Sequence, residues 1–189
     1  MREVALTDED ELRLRGYRFL TQKPVLAVLN IDESQLATAT DLEAGGRARY
    51  ALAQTDVAAL GGKIEAELAQ LSDDDAALFM EDLGIAEPSR GRVIHLTYRL
   101  LGLFSFFTAG EDECRAWTLR QGATAVDAAA AIHSDLARGF IRAEVVTYDD
   151  LIACGSMVEA RKRGLLRAEG KTYAVRDGDV IEVLFNVAR

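Results

Sequence analysis

The sequence predicts an α+β fold in two successive parts, and three observations carry that expectation. Val25-Leu26-Ala27-Val28-Leu29 is an unbroken apolar run of strand length, the pattern of a parallel strand buried on both faces. Around it, residues up to about 101 read mainly as helices. Beyond residue 103 the pattern changes to short strands with glycine turns, of which Val180-Ile181-Glu182-Val183-Leu184-Phe185 is the clearest.

The elements follow in order. Leu12, Leu14, Tyr17, Phe19 and Leu20 recur at helical spacing, Thr7 with Asp10 makes a capping-box start, and Pro24 ends a helix expected over residues 8–21. The strand over residues 25–29 comes next. Asp41 to Tyr50 reads as a polar connection or short helix, and Asp56 to Leu60 is a second short apolar segment before Gly61-Gly62. Helices are expected over 63–71, over 73–83 with Ser72 as cap and acidic residues in the first turn, and over 90–101 after the Pro88-Ser89 turn. The domain boundary is placed at 101–103. Strands are then expected at 104–108 and 115–119, a helix at 124–137, and strands at 141–146, 171–175 and 180–186. That succession is expected of a small β-grasp sheet. No internal repeat or low-complexity tract is present.

Composition narrows the function classes. A chain of 189 residues, 49% hydrophobic, is long enough for one or two small domains with their own cores. Cys114 and Cys154, forty positions apart, form neither a metal-ligand spacing nor a disulfide framework, fit a reducing cytoplasm, and are expected to be buried. The acidic start around Asp8-Glu9-Asp10-Glu11 does not read as a targeting segment, and no apolar run is long enough to span a bilayer. Met1 ahead of this leader suits a natural start and equally an excised segment. A net charge of −9 argues against general nucleic-acid binding. The charge is uneven, however: residues 1–100 hold 11 basic and 18 acidic side chains, residues 137–189 hold 9 and 8. A local RNA-facing patch around Arg138, Arg142 and Arg161-Lys162-Arg163 and an ordinary solvated face are both compatible with this.

Few residues stand out chemically. Asn30-Ile31-Asp32-Glu33 follows the first strand, where an open α/β sheet places ligands; alone, the tetrapeptide equally suits a turn or helix cap. Gly61-Gly62-Lys63 is a glycine turn into a helix. His95 reads as a packed or capping histidine. His133 has no serine or cysteine nucleophile recognisable beside it, so acid-base catalysis is not expected. Trp117 and Phe140 read as core residues, with base stacking the alternative. Arg138 and Arg142 flank Gly139 and are the best candidates for phosphate or an acidic partner surface.

A resemblance adds to this reading. Phe104-Ser105-Phe106-Phe107-Thr108-Ala109-Gly110, Arg115-Ala116-Trp117-Thr118, Ile132-His133-Ser134-Asp135, Arg138 to Val145, Tyr148 to Leu151, Glu169-Gly170-Lys171, Asp177 to Ile181 and Phe185-Asn186-Val187 occur in one order. Together they resemble the C-terminal TGS domain of an Obg-like ATPase of the YchF family. Leu20 to Leu26, Asn30 to Glu33 and Lys63 to Leu68 extend the resemblance over roughly residues 12–187. It implies an incomplete α/β P-loop NTPase remnant with helices over residues 1–102, followed by a β-grasp (ubiquitin-like) TGS domain over 103–189.

The resemblance also shows what is missing. A G-x-x-x-x-G-K-[ST] turn, which cradles phosphates and holds magnesium, does not occur in the 189 residues; Gly61-Gly62-Lys63-Ile64 lacks the first glycine and the magnesium ligand. Asn30 to Glu33 stands where the related GTPases carry the base-reading N-K-x-D, with Ile31 for Lys and Glu33 for Asp. Adenine lacks the two donors that a guanine-reading carboxylate accepts from, so the altered element implies a preference for ATP over GTP. Asn30, Ile31, Glu33 and Gly62 are the implied nucleotide contacts, Gly62 through a backbone amide in place of a missing serine. His133, Arg138 and Arg142 are the implied partner contacts, and the partner is a ribosome or a translation-related protein or RNA. Magnesium would accompany ATP only in a full-length protein, and hydrolysis by this chain alone is not expected. The alternative is a stand-alone TGS module binding RNA or protein without a nucleotide function. A strand such as 25–29 deprived of neighbours also implies self-association through its open edge. The chain is expected in the cytoplasm, away from membranes.

Overall fold

The computed structural model describes residues 2–85, 87–110 and 113–186, and it divides into two compact units, Met1–Leu101 and Gly102–Arg189. Val187, which closes the resemblance, and the two residues after it lie outside the described residues.

In the first unit Thr7 and Asp10 cap helix α1 (Asp8–Leu14) reciprocally, as their spacing predicts. The helix then stops short of residue 21. A 3-10 turn, Arg15–Tyr17, ends on Arg18 at φ 50°, and a second 3-10 turn, Leu20–Gln22, leads into Pro24. No residue of α1 is buried, so its apolar positions have no packing face to sustain a longer helix. Strand β1 (Val25–Asn30) is followed by a 3-10 helix, Glu33–Thr38, and by α2 (Ala39–Arg49), so the segment read as connection or short helix is helical. Strand β2 (Thr55–Leu60), α3 (Gly62–Leu68), α4 (Asp73–Asp82) and α5 (Ser89–Leu100) complete the unit.

β1 and β2 pair in parallel, Val25 opposite Thr55 through Asn30 opposite Leu60. Helices α2 and α5 pack on β2, and the buried side chains are those of Val57, Ala58, Ala59, Ile64, Leu96 and the carboxylate-bearing Glu43. β1 departs from the expected double burial: Val25, Val28 and Leu29 are 38%, 48% and 37% exposed. Its sheet has only these two strands among the described residues, so β1 lacks cover.

The two edges of this sheet differ. Val25 N–H donates to Gln54 O and Ile31 N–H to Leu60 O, so alternation turns the amides and carbonyls of Leu26, Val28 and Asn30 toward the outer edge. β2's far edge is instead capped by side chains. Ala59 N–H donates to Glu43 Oε1 at 2.8 Å, Arg92 donates to Ala59 O at 2.6 Å and Arg47 to Val57 O at 2.9 Å.

The second unit holds a five-stranded mixed sheet. Strands β3 (Leu103–Ala109) and β4 (Cys114–Arg120) form an antiparallel hairpin; α6 (Ala125–Ile132) and α7 (Ser134–Arg138) follow, then β5 (Phe140–Thr147), α8 (Tyr148–Cys154), α9 (Met157–Lys162), β6 (Arg167–Glu169) and β7 (Asp179–Phe185). The order is β4-β3-β7-β5-β6, with β3 and β7 parallel and the other neighbours antiparallel. α6 supplies Ala125, Ala128 and Ala129 to a core with Phe104, Phe106, Leu119, Phe140, Val145 and Ile181. A second cluster gathers Val146 and Val180 with Ala160, Leu151 and Met157 of the α8–α9 pair.

Several sequence expectations are corrected here. The helix expected over 124–137 breaks at His133, whose φ/ψ of −163°/142° is extended. Residues 171–175 are no strand; the segment carries one bridge, Thr124 to Ala174, and the fifth strand is β6. α8 and α9 were not anticipated. Their start signals are present: Thr147 caps through Asp150 N–H and Ser156 through Glu159 N–H. Cys114 is exposed on edge strand β4, and Cys154 is partly buried, so neither has the full burial expected. Among the described residues no helix is long and apolar enough to cross a membrane.

Candidate functional site

The nucleotide-element candidates converge at the carboxyl ends of β1 and β2. Asn30 is the last residue of β1, and its Oδ1 accepts the Gly62 N–H at 2.9 Å, joining the two loops named from the sequence. Because the partner is a donor, the atom facing it must be the oxygen, which fixes the carboxamide orientation. Ile31 is partly buried, and its N–H continues the β1–β2 ladder to Leu60 O at 2.9 Å. Asp32 is a helix cap: Oδ1 accepts from Ser34 N–H, and Asp32 N–H donates to Gln35 Oε1. Glu33, exposed, begins the 3-10 helix beyond. The Gly62 N–H, which the resemblance implies as a base contact, is held by Asn30 Oδ1.

A charged network behind β2 escaped the sequence reading. Glu43, only 7% exposed, receives Ala59 N–H and Arg92 on Oε1 and Arg47 on Oε2. Asp56 receives Arg47, Arg99 and Val57 N–H. Burial works against the charged form of Asp56, but the hydrogen bonds from Arg47, Arg99 and Val57 outweigh it and hold the carboxyl at about 2. The Asp56 hydrogen bond in turn raises the Arg47 guanidinium. The i,i+4 spacing of Glu43 and Arg47 was a visible signal; the link to Arg92 was not.

In the second unit His133 and Arg138 lie together, lining a groove with Asp135, Leu136, Gly139, Phe185 and Asn186. His133 Nδ1 accepts Asp135 N–H at 3.2 Å, and Arg138 is paired with the Asp135 carboxylate, which lowers that carboxyl's pKa. Gly139 is required by close approach: a Cβ there would collide with Asn186 O. Arg142 does not line this groove. It pairs at 3.3 Å with Glu144, which also binds Arg161. The basic residues gathered by sequence are therefore largely engaged by neighbouring carboxylates, Arg163 and Lys162 by Glu159 among them. Trp117 packs against the core, with Arg115 stacked 4.3 Å from its ring centroid and its Nε1–H donating to Thr108 Oγ1. Phe140 is buried, and His95 is exposed on α5 and not packed as expected. No group of three metal-ligating side chains exists among the described residues.

Comparison with known proteins decides the family. Residues 103–186 match the YchF-GTPase_C family, described as "Protein of unknown function (DUF933)". A "Ribosome-binding ATPase YchF" of Haemophilus ducreyi is 47% identical over 190 residues, 99% of this chain and 51% of that protein. The Bacillus subtilis protein of the same name is 44% identical over 188 residues, 98% of this chain and 51% of its own length. The chain belongs to the YchF family. It spans about half the length of these curated YchF relatives and corresponds to their C-terminal part. The fold is shared with a solved YchF GTPase of Schizosaccharomyces pombe at TM-score 0.79 and 24% identity, covering 97% of this chain and 49% of that one. A GTP binding protein of Pyrococcus horikoshii superposes at TM-score 0.61 and 16% identity, covering 96% and 51%.

Proposed function

We propose that this chain is the C-terminal part of a ribosome-associated YchF-type ATPase, its first unit contributing the adenine-recognition element and its second a partner-binding TGS domain. The carrying observation is the Asn30–Gly62 hydrogen bond, which holds the two base-reading loops together beyond the sheet's carboxyl ends. The residues present fit a base: Asn30 has a donor left, Ile31 offers an apolar flank and Glu33 an acceptor. None fits the phosphates or magnesium, because the glycine-rich turn is absent from the sequence. When ATP is bound, its transferable phosphate supplies the chemistry; this chain's residues bind and orient the base. The names of the curated relatives support ribosome association, with His133 and Arg138 on one partner surface and Arg142 on another. The sheet order β4-β3-β7-β5-β6 with α6 across it supports the β-grasp reading of the second unit. The open β1 edge and the exposed Val25, Val28 and Leu29 support self-association of the isolated chain. A cytoplasmic setting is proposed with these roles.

A titration of the chain with ATP, GTP and adenosine, followed by amide chemical shifts, tests the nucleotide part. Adenine-selective shifts confined to Asn30, Ile31 and Glu33 are expected. No shift with any nucleotide moves the function to the second unit alone, a stand-alone binding module.

A further inference from the structure

We infer that the outer face of α8 and the groove beside it form a docking surface for a basic, amphipathic segment of a partner protein, separate from the surfaces at His133, Arg138 and Arg142. α8 turns Leu151 and Cys154 toward the core, and Tyr148 and Ile152, one helical turn apart, stand 50% and 63% exposed on its other side. Beside them a groove is lined by Phe107, Thr147, Tyr148, Asp149, Asp177 and Gly178. Its frame is fixed by the backbone: Tyr148 N–H donates to Gly178 O and Gly178 N–H to Ser105 O, each at 2.9 Å. The Phe107 and Tyr148 rings meet there with centroids 5.9 Å apart. The two carboxylates of the groove differ from others in this unit. Asp135, Glu144, Glu159, Glu169 and Asp179 each meet an arginine or lysine, whereas no cation among the described residues pairs with Asp149 or Asp177. The Asp177 carboxylate accepts the Ser105 N–H at 3.1 Å and keeps acceptor capacity beyond it. Two unneutralised charges beside aromatic faces suit an arginine or lysine side chain and repel the phosphates of a nucleic acid. The exposed Tyr148 and Ile152 suit apolar residues of the same segment. Charge and apolar surface together select a protein segment that carries both residue types, not RNA.

Titration of the full chain with a synthetic amphipathic peptide of arginine and leucine, followed by amide chemical shifts, tests this. Shifts are expected at Phe107, Tyr148, Asp149, Ile152 and Asp177, with binding that weakens as salt is added. Asp149 and Ile152 have exposed side chains, so Asp149→Lys and Ile152→Glu are expected to fold, and each should lower the affinity about tenfold. Asp82→Lys makes the same change of net charge at an exposed position closing α4, in the first unit, and should leave the affinity as it was. Equal losses in Asp149→Lys and Asp82→Lys would reduce the binding to attraction by net charge and overturn the inference. So would shifts confined to other residues, no binding at all, equal affinity for a peptide with glutamate in place of arginine, or a single-stranded RNA oligonucleotide that shifts the same amides. None of these results bears on the nucleotide element, which the ATP, GTP and adenosine titration tests by itself.

Discussion

The second unit surrounds its sheet, whereas the first covers one strand and leaves the other bare. Five strands in the second unit bury Phe106, Val145 and Ile181 at 0%, 0% and 1% exposure, with α6 on one cluster and α8–α9 on the other. In the first unit β2 is fully engaged: its inner edge pairs with β1 and its outer edge is held by Glu43, Arg47 and Arg92. β1 carries a row of outward-facing backbone groups and three exposed apolar side chains. A strand built for burial on both sides has met only one neighbour. The difference teaches that a side-chain cap can end a sheet on one side, so that any further strand can join only on the other.

The sharpest way to break this comparison is to damage each unit at its centre. Phe106→Ala, in the packed sheet of the second unit, should cost about 4 kcal/mol, and Glu43→Leu, which leaves Ala59 N–H, Arg92 and Arg47 without their shared carboxylate, about 3 kcal/mol. Amide spectra with denaturant melts check both, and each loss should stay within its own unit. Acid should act on the first unit through Asp56. The Asp56 carboxyl lies at about 2 in the folded state against an ordinary 3.8, so its contribution is complete above about pH 5 and lost as pH falls toward 2. The difference corresponds to about 2 kcal/mol, and Asp56→Asn should flatten the fall of the first unit's unfolding midpoint over that range. The smallest effect on folding is expected from Val28→Lys, within about 0.5 kcal/mol because the side chain is 48% exposed. Sedimentation should nonetheless show less self-association, since the charge sits on the open strand.

Much of this was legible in the chain. The capping pair Thr7–Asp10, the Ser72 cap and the strands at 25–29, 104–108 and 115–119 follow from local chemistry, which residue types declare directly. The element at Asn30 is marked by its place after a strand together with the family resemblance, but the bond joining it to Gly62 spans thirty-two positions and exists only once the strands pair in register. Tertiary context decided the rest. α1 ended early for want of a packing face, and His133 broke a helix that alanine-rich residues would otherwise continue. Arg142 and Arg161 looked like free cations in sequence, yet Glu144 engages both. α8 and α9 were overlooked because helices of seven and six residues are too short for a periodic signal.

Chemical denaturation of residues 1–100 and 101–189 as separate fragments tests most directly whether the two units differ in completeness. The account expects the second fragment to unfold at the higher midpoint, the first being weaker for want of cover on β1. Equal or reversed midpoints would contradict it.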